Sequence, residues 1–264
     1  MLIPLFGWLC YGALLVCLGS FAALYSIRWP ALNLYLAKQE AHELLSLPFK
    51  EKRPKGYLLG RSYCPHCTHL LTWRDTIPLF SYAYLKGKCR FCGANISPYY
   101  WQIEGLFLVT GLPLLCLPLS LYELALNTVI LSTLLSAALI DYQHKIIPNE
   151  CSALVVVASL ALNIGSPLLD SSILGLLLGY AIVATLRECY LYYYKKEGIG
   201  LGDAKLLAAL GAWLYLESIF SIMLYASLLG IFCTLLFSSK GQQTIPFGPF
   251  LVISSIAYFY YSYL

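Results

Sequence analysis

Two aspartates lie at the ends of apolar segments, where an ionisable side chain needs an explanation. Asp141 ends one apolar run and precedes Pro148 by seven residues, whereas Asp203 follows a glycine-rich stretch and begins another apolar run. A carboxylate at membrane depth is costly, so it is by default a candidate functional group. Two carboxylates that converge on one water can serve as general base and general acid in amide hydrolysis. The pattern therefore predicts an aspartic peptidase with Asp141 and Asp203 as its catalytic pair.

Each aspartate also has a purely structural interpretation. Asp203 follows a glycine turn, where aspartate is a favoured helix N-cap. Asp141 precedes Lys145 by one helical turn, and such a pair stabilises a helix by only a few tenths of a kcal/mol. The end of one apolar run and the start of the other lie at the same membrane face, and this pairing of two carboxylates favours the catalytic interpretation over the structural one.

The residues around Asp203 add three candidates that line the site. Gly200 and Gly202 allow a positive φ and a close approach of the backbone to an extended substrate. Lys205 lies two residues beyond Asp203, where it either steadies the carboxylate, binds the substrate backbone or extends to a lipid phosphate. We expect Gly200, Gly202 and Lys205 to line the active site.

Four of the ten cysteines form two C-x-x-C motifs, Cys64-Pro-His-Cys67 and Cys89-Arg-Phe-Cys92. Each motif lets two thiolates converge on one tetrahedral metal ion. In a reducing cytoplasm paired motifs favour zinc over two disulfides or unrelated thiols. A shell of four thiolates leaves no open position for water, so the predicted zinc is structural.

The composition indicates a membrane protein, because 59% of the 264 residues are hydrophobic and only 11% are charged, against roughly 25% charged in soluble domains. We predict an all-α polytopic fold with about eight transmembrane helices and a small cytoplasmic zinc-ribbon-like insert. The apolar segments are 5–27, 103–118, 121–140, 151–164, 172–194, 204–216, 219–237 and 247–264.

The distribution of positive charge predicts the orientation. Eleven of the seventeen lysines and arginines fall between Arg28 and Arg90, and positive charge accumulates on the cytoplasmic side of membranes. We therefore expect a periplasmic N-terminus with residues 1–27 as first transmembrane helix, 28–101 as cytoplasmic cysteine-rich domain and 102–264 as membrane-embedded peptidase domain. The turns expected on the cytoplasmic side carry Lys145, Lys195, Lys196 and Lys240. This explanation of the net charge of +4 predicts no nucleic-acid partner.

Two rival functions remain open from the residues alone. An ion-coupled transporter would use paired aspartates to bind a proton or a cation. A membrane scaffold would use the zinc domain to bind a partner, with the aspartates as helix caps. The Pro246-Phe-Gly-Pro249 run either lines the site or marks a helix start, and Glu104 either meets substrate or favours a helix N-terminus.

The order of the motifs resembles the bacterial type IV prepilin peptidase family over nearly the whole chain. The matching segments are Gly19-Ser-Phe21 with Arg28-Trp-Pro30, the cysteine motifs with Trp73-Arg-Asp75-x-Ile77-Pro78, Asp141 with Pro148, Gly198-x-Gly200-x-Gly202-Asp203-x-Lys205, Leu206 to Trp213 and Pro246 to Phe250.

The resemblance implies cleavage of the leader peptide of type IV prepilins and type II secretion pseudopilins, at the cytoplasmic face of the bacterial inner membrane. Asp141 and Asp203 carry over as the catalytic pair. The cysteine-bearing insert resembles that of family members that also methylate the new N-terminal residue, so the resemblance implies this second activity with S-adenosylmethionine. The implied partners are thus prepilin and pseudopilin precursors and the lipid bilayer.

Overall fold

The computed structural model describes residues 5–57, 60–196, 198, 200–237 and 246–264. Across these residues the regular structure is helical apart from two isolated β-bridges, which confirms the predicted all-α class. Lys240 of the predicted last cytoplasmic turn lies outside the described residues. The helices are α1 (Leu5–Leu44), α2 (Phe80–Tyr84), α3 (Tyr99–Gly111), α4 (Leu121–His144), α5 (Asn149–Asn163), α6 (Leu169–Tyr194), α7 (Leu201–Phe237) and α8 (Gly248–Tyr261).

Four stretches of the described chain are long and apolar enough to cross a membrane. They are α1, α4, α6 and residues 201–236 of α7, while α5 and α8 are apolar but shorter. Each of the eight apolar segments expected from the sequence lies largely on a helix. The segments 204–216 and 219–237 are the two halves of α7, which is interrupted at Tyr215.

The chain divides into two compact units, Met1–Cys116 and Leu117–Leu264, called here the N-terminal unit and the C-terminal unit. The division reflects contacts within each unit, whereas the predicted boundaries at residues 28 and 102 refer to the membrane. Those boundaries therefore stay a prediction.

In the N-terminal unit α1 packs along α3 through small residues. A Cβ at Gly19 would lie 2.9 Å from the Cα of Glu104, so the two helices approach at backbone distance. The hydroxyls of Ser26 and Tyr99 share a hydrogen bond of 2.7 Å across the same pair. Helix α1 continues to Leu44, with Pro30 inside it, beyond the predicted end of the first apolar segment. Residues 31–44 are mostly strong helix formers, which sustain the helix after the proline.

In the C-terminal unit α7 is broken at Tyr215, whose φ of 68° and ψ of 170° are not helical. A break at membrane depth requires protein partners for the freed backbone groups. The Leu216 N–H donates to Ser171 Oγ at 3.4 Å, and Ser218 Oγ donates to the Tyr215 carbonyl at 2.8 Å. The Tyr215 hydroxyl donates to Asn163 Oδ1 at 3.2 Å. Side chains from α5 and α6 therefore stabilise the break and hold the first half of α7 in place.

The first half of α7 packs against glycines of α6. Gly175 lies against the backbone of Gly211, and a Cβ at Gly179 would lie 2.7 Å from the Leu207 carbonyl oxygen. Small residues spaced by four let helix backbones approach closely in membranes. The hydroxyl of Ser172 donates to the Ala212 carbonyl at 2.5 Å along the same contact. This packing fixes the helix that begins with the Asp203 turn.

We predict that Gly179→Ala lowers the thermal unfolding temperature, because the new methyl group would force α6 and α7 apart at a cost of about 1–3 kcal/mol. The matched control is Gly105→Ala in α3, where a Cβ would meet nothing within 4 Å and alanine favours the helix. Scanning fluorimetry of both variants in one detergent measures the difference. Equal unfolding temperatures would contradict the proposed contact.

Candidate functional site

Asp141 occupies the last turn of α4, which ends where Lys145 adopts a left-handed conformation with φ 57° and ψ 37°. The Lys145 N–H donates to the Asp141 carbonyl at 2.8 Å and closes this turn. Lys145 is thus linked to Asp141 through the backbone. Asp141 is only 5% exposed, so its carboxylate requires donors from the protein.

One donor to Asp141 is the backbone of Gly248, 107 residues away in the chain. The Gly248 N–H donates to Asp141 Oδ2 at 3.0 Å. Gly248 begins α8, and the N–H groups of a first helical turn have no partner within the helix. A Cβ at this position would lie 2.6 Å from Asp141 Oδ2. The Pro246–Pro249 run therefore contacts Asp141, one member of the candidate pair, and glycine is required there for close approach.

Asp203 lies in the first turn of α7, where its carboxylate is near Gly200. A Cβ at Gly200 would lie 3.2 Å from Asp203 Oδ2. Gly202, the residue before Asp203, and Gly248, the donor to Asp141, both lie against Ile147. The structure thus brings together the two aspartates singled out in the sequence.

Ile147 connects the surroundings of the two carboxylates. A Cβ at Gly202 would lie 3.2 Å from Ile147 Cβ, and a Cβ at Gly248 would lie 3.2 Å from Ile147 Cδ1. The φ of Gly202 is not left-handed, so the positive φ expected there from the sequence is wrong. This glycine is needed for space next to Ile147. Ile147 was not a candidate in the sequence, since an isoleucine before Pro148 carries no chemical signal.

Lys205 contacts Asn149, whereas the sequence suggested a contact with the Asp203 carboxylate, a substrate backbone or a lipid phosphate. Its Nζ donates to Asn149 Oδ1 at 2.7 Å, which joins α7 to the start of α5. Asn149 is the first residue of α5 and was not among the candidate residues of the sequence, so this contact is new. This hydrogen bond places the ammonium group of Lys205, two residues beyond Asp203 in the chain, at the N-terminus of α5.

The four cysteines Cys64, Cys67, Cys89 and Cys92 come together in the N-terminal unit, with their sulfurs within 4.8 Å of one another. The sulfurs of Cys64 and Cys92 are 3.8 Å apart, too far for a disulfide bond of about 2.0 Å. A tetrahedral ion with metal–sulfur bonds of ~2.3 Å gives sulfur separations of this size. The cluster can therefore hold a metal ion.

The local backbone favours the thiolate form at Cys64. The N–H groups of Cys67 and His66 donate to its sulfur and lower the pKa of the thiol to about 6. A metal-binding cysteine must lose its proton, so this backbone prepares the ligand.

The two C-x-x-C motifs fold in the same way. The Cys64 N–H donates to the His69 carbonyl at 3.0 Å, and the Cys89 N–H donates to the Ala94 carbonyl at 2.8 Å. Four residues after the first cysteine of each motif the backbone turns left-handed, at Thr68 with φ 57° and at Gly93 with φ 70°. Threonine is strained in this region because it is β-branched.

Asp75 joins the second motif to the neighbouring 3-10 helix (Trp73–Thr76). Its carboxylate accepts hydrogen bonds from the hydroxyl and the N–H of Thr72 at 2.6 and 3.0 Å. Arg90, which follows Cys89, lies 3.7 Å from the other carboxylate oxygen. The hydrogen bonds from Thr72 and the charge of Arg90 lower the pKa of Asp75.

Two family models match the chain, and each match covers most of one unit. The model of the type IV leader peptidase family matches residues 128–235, and the model of the bacterial peptidase A24 N-terminal domain matches residues 11–117. No solved structure matches the chain.

Curated relatives match most of the chain. A type 4 prepilin-like proteins leader peptide-processing enzyme of Escherichia coli O78:H11 is 35% identical over 92% of this chain and 90% of its own length. A prepilin leader peptidase/N-methyltransferase of Xanthomonas campestris pv. campestris is 32% identical over 92% of this chain and 88% of its own length. A protein of the same description from Dichelobacter nodosus is 30% identical, with coverages of 92% and 87%.

We predict that Thr68→Gly slows metal loss to a chelator, because glycine removes the strain of a left-handed threonine, about 1–2 kcal/mol. The reciprocal variant Gly93→Thr introduces that strain in the second motif and should speed metal loss. Release measured with a colorimetric chelator compares both with the unchanged protein. Identical release from all three proteins would contradict the equivalence of the two turns.

Proposed function

The chain belongs to the type IV leader peptidase family, and from this premise we propose that it cleaves the leader peptide of type IV prepilins and N-methylates the new N-terminal residue. The observation that carries the proposal is the convergence of Asp141 and Asp203 beside Ile147, within the matched residues 128–235. The relatives are named as leader-peptide processing enzymes, and the transporter alternative has no support from them. Pseudopilins of type II secretion are proposed as further substrates.

Asp141 and Asp203 act as the catalytic pair in this proposal. Two neighbouring carboxylates cannot both ionise cheaply, so the pair shares one proton. The ionised member takes a proton from water as the water oxygen attacks the scissile carbonyl carbon. The protonated member gives its proton to the amide nitrogen as the C–N bond breaks. The Gly248 hydrogen bond fixes Asp141 for both steps.

The residues around the pair accommodate an extended substrate. Gly200 has no side chain beside the Asp203 carboxylate, which leaves room there for a peptide backbone, whereas Gly202 gives Ile147 its place next to this turn. Lys205, held by Asn149 at 2.7 Å, supplies a positive charge near the start of α7. We propose that Gly200, Gly202 and Lys205 line the substrate site.

Zinc is the metal we propose for the cysteine quartet. Four thiolates are a usual shell for structural zinc, and no ligand position remains for a reactant. Metal binding would fold the irregular segment between α1 and α3, which has little regular structure of its own. For the methylation we propose S-adenosylmethionine, which supplies an electrophilic methyl group.

The enzyme is proposed to lie in the bacterial inner membrane with a periplasmic N-terminus. Lys145 and Lys195 follow the ends of α4 and α6, and the basic residues between Arg28 and Arg90 follow the apolar part of α1. Positive residues at these ends support a cytoplasmic face. The cysteine-rich domain and the active site are therefore both assigned to the cytoplasmic side, in contact with the lipid bilayer.

We predict that Asp141→Asn and Asp203→Asn each reduce leader cleavage at least a hundredfold, because neither amide can exchange the protons of the reaction. The control is Asp170→Asn, which changes an exposed aspartate in the first turn of α6 and should leave cleavage unchanged. A mobility gel follows a prepilin with membranes that contain equal amounts of each variant. Cleavage by both active-site variants would refute the pair.

We also predict that Gly248→Ala lowers the cleavage rate by roughly ten- to a hundredfold, since its methyl group would displace the Asp141 carboxylate. Gly230→Ala in α7 is the matched control, because its Cβ would meet Phe250 at an ordinary distance of 3.6 Å. Initial rates at saturating prepilin compare the two variants. An unchanged cleavage rate for Gly248→Ala would show that the close approach of Gly248 to the Asp141 carboxylate is unimportant for cleavage.

A further inference from the structure

Among the described residues, Asp141 and Glu104 are the two acidic residues that are buried as whole residues, and each unit contains one. The side chain of Asp75 is also only 5% exposed, but it pairs with Arg90. Asp141 lies in the C-terminal unit, and Glu104, on α3, lies in the N-terminal unit; both are 5% exposed. The peptidase reaction uses Asp141 and leaves Glu104 without a role. Glu104 is therefore a candidate for the second activity.

Glu104 holds an unusual turn of the cysteine-rich segment. Its Oε2 accepts the Leu79 N–H at 2.7 Å, and Leu79 has φ 58° and ψ −50°. The Phe80 N–H donates to the Pro78 carbonyl at 2.6 Å around this residue, which makes the segment a γ-turn of the rare, strained type. Such strained backbone persists only where the surroundings hold it, and it is concentrated at functional sites.

A neutral side chain could hold this turn as well as a carboxylate. Burying a carboxylate costs far more than burying an amide unless a positive charge compensates it. The ion pairs formed among the described residues are Lys38–Glu51, Arg90–Asp75 and Arg187–Glu188, and none includes Glu104. The carboxylate has about four acceptor positions, of which the Leu79 N–H and the Ser20 hydroxyl occupy two. The remaining positions suit a cationic ligand.

We propose that Glu104 binds the α-ammonium group of the N-terminal residue released by leader cleavage and accepts its proton during methylation. The inference rests on the proposed function. An ammonium nitrogen has no lone pair, so it must lose a proton before it can attack a methyl group. A bound sulfonium donor would supply the methyl group to this free amine, with the N–C bond forming as the S–C bond breaks, and Glu104 would then pass the proton to solvent.

Placing the methylation site at Glu104, in the N-terminal unit, assigns the two reactions to different units of the chain. The segment that matches the leader peptidase model, residues 128–235, lies within the C-terminal unit. Both proposed catalytic aspartates lie in this segment. Relatives are named for a second activity, N-methyl transfer, which requires different chemistry. A single buried carboxylate that binds an ammonium group and accepts its proton would supply the chemistry of N-methyl transfer.

The test uses Glu104→Gln, which keeps an oxygen acceptor for the Leu79 N–H but removes the charge. We expect leader cleavage within about twofold of the unchanged enzyme and N-methylation reduced about a hundredfold. Mass spectrometry of the processed pilin reports both reactions in one sample. Tyr99→Phe, which breaks the Ser26 hydrogen bond between the same helices, is the matched control and should retain both reactions.

A binding measurement without methyl donor separates ligand recognition from activity. A synthetic mature-pilin N-terminal peptide with a free amine should bind the unchanged enzyme about tenfold more tightly than its acetylated form, a difference of ~1.4 kcal/mol. Glu104→Gln should bind both forms equally.

Three outcomes would overturn the proposal: full methylation by Glu104→Gln, loss of cleavage together with methylation in a folded variant, or equal binding of both peptides by the unchanged enzyme. The last comparison needs no variant and stands even if Glu104→Gln does not fold. Failure of the unchanged enzyme to cleave any prepilin would instead refute the proposed peptidase function.

Discussion

The buried hydrogen bond from the Gly248 N–H to Asp141 Oδ2 is the contact on which the C-terminal unit depends. A carboxylate that is 5% exposed cannot rely on water, so its donor must come from the protein. The unpaired first turn of α8 provides one, which ties the end of α4 to the start of α8. Ile147 lies against Gly248 at this contact and against Gly202, the residue before Asp203.

The same requirement for satisfied polar groups explains the interruption of α7. An uninterrupted helix would need no partners at Tyr215, yet the chain breaks there. Ser171 of α6 receives the freed Leu216 N–H, and Asn163 of α5 accepts the Tyr215 hydroxyl. The first half of α7 is consequently held from several sides, by Asn163, Ser171 and Ser172. Glycines of α6 bring its backbone close. A rigid first half positions Asp203, which lies at its beginning.

Much of this arrangement could be predicted from the sequence, because it depends on local signals. Apolar length specified the helices, paired C-x-x-C motifs specified the cysteine cluster, and helix-end carboxylates specified Asp141 and Asp203. The continuation of α1 past Pro30 was missed, since an isolated proline usually ends a helix. Gly248 and Ile147 act through contacts with residues far along the chain or through shape alone, so no local pattern reports their roles.

The proposed roles of Asp141 and Glu104 would let one chain support two reactions. Each accepts a backbone N–H, from Gly248 at Asp141 and from Leu79 at Glu104. Asp141 has a second carboxylate nearby, and a pair that shares one proton suits hydrolysis, where a proton is both taken and given. Glu104 forms no ion pair within the described chain, and an unpaired negative charge favours a cation. Because hydrolysis of the leader produces a new ammonium group, the product of the first site has the charge that the second site would bind.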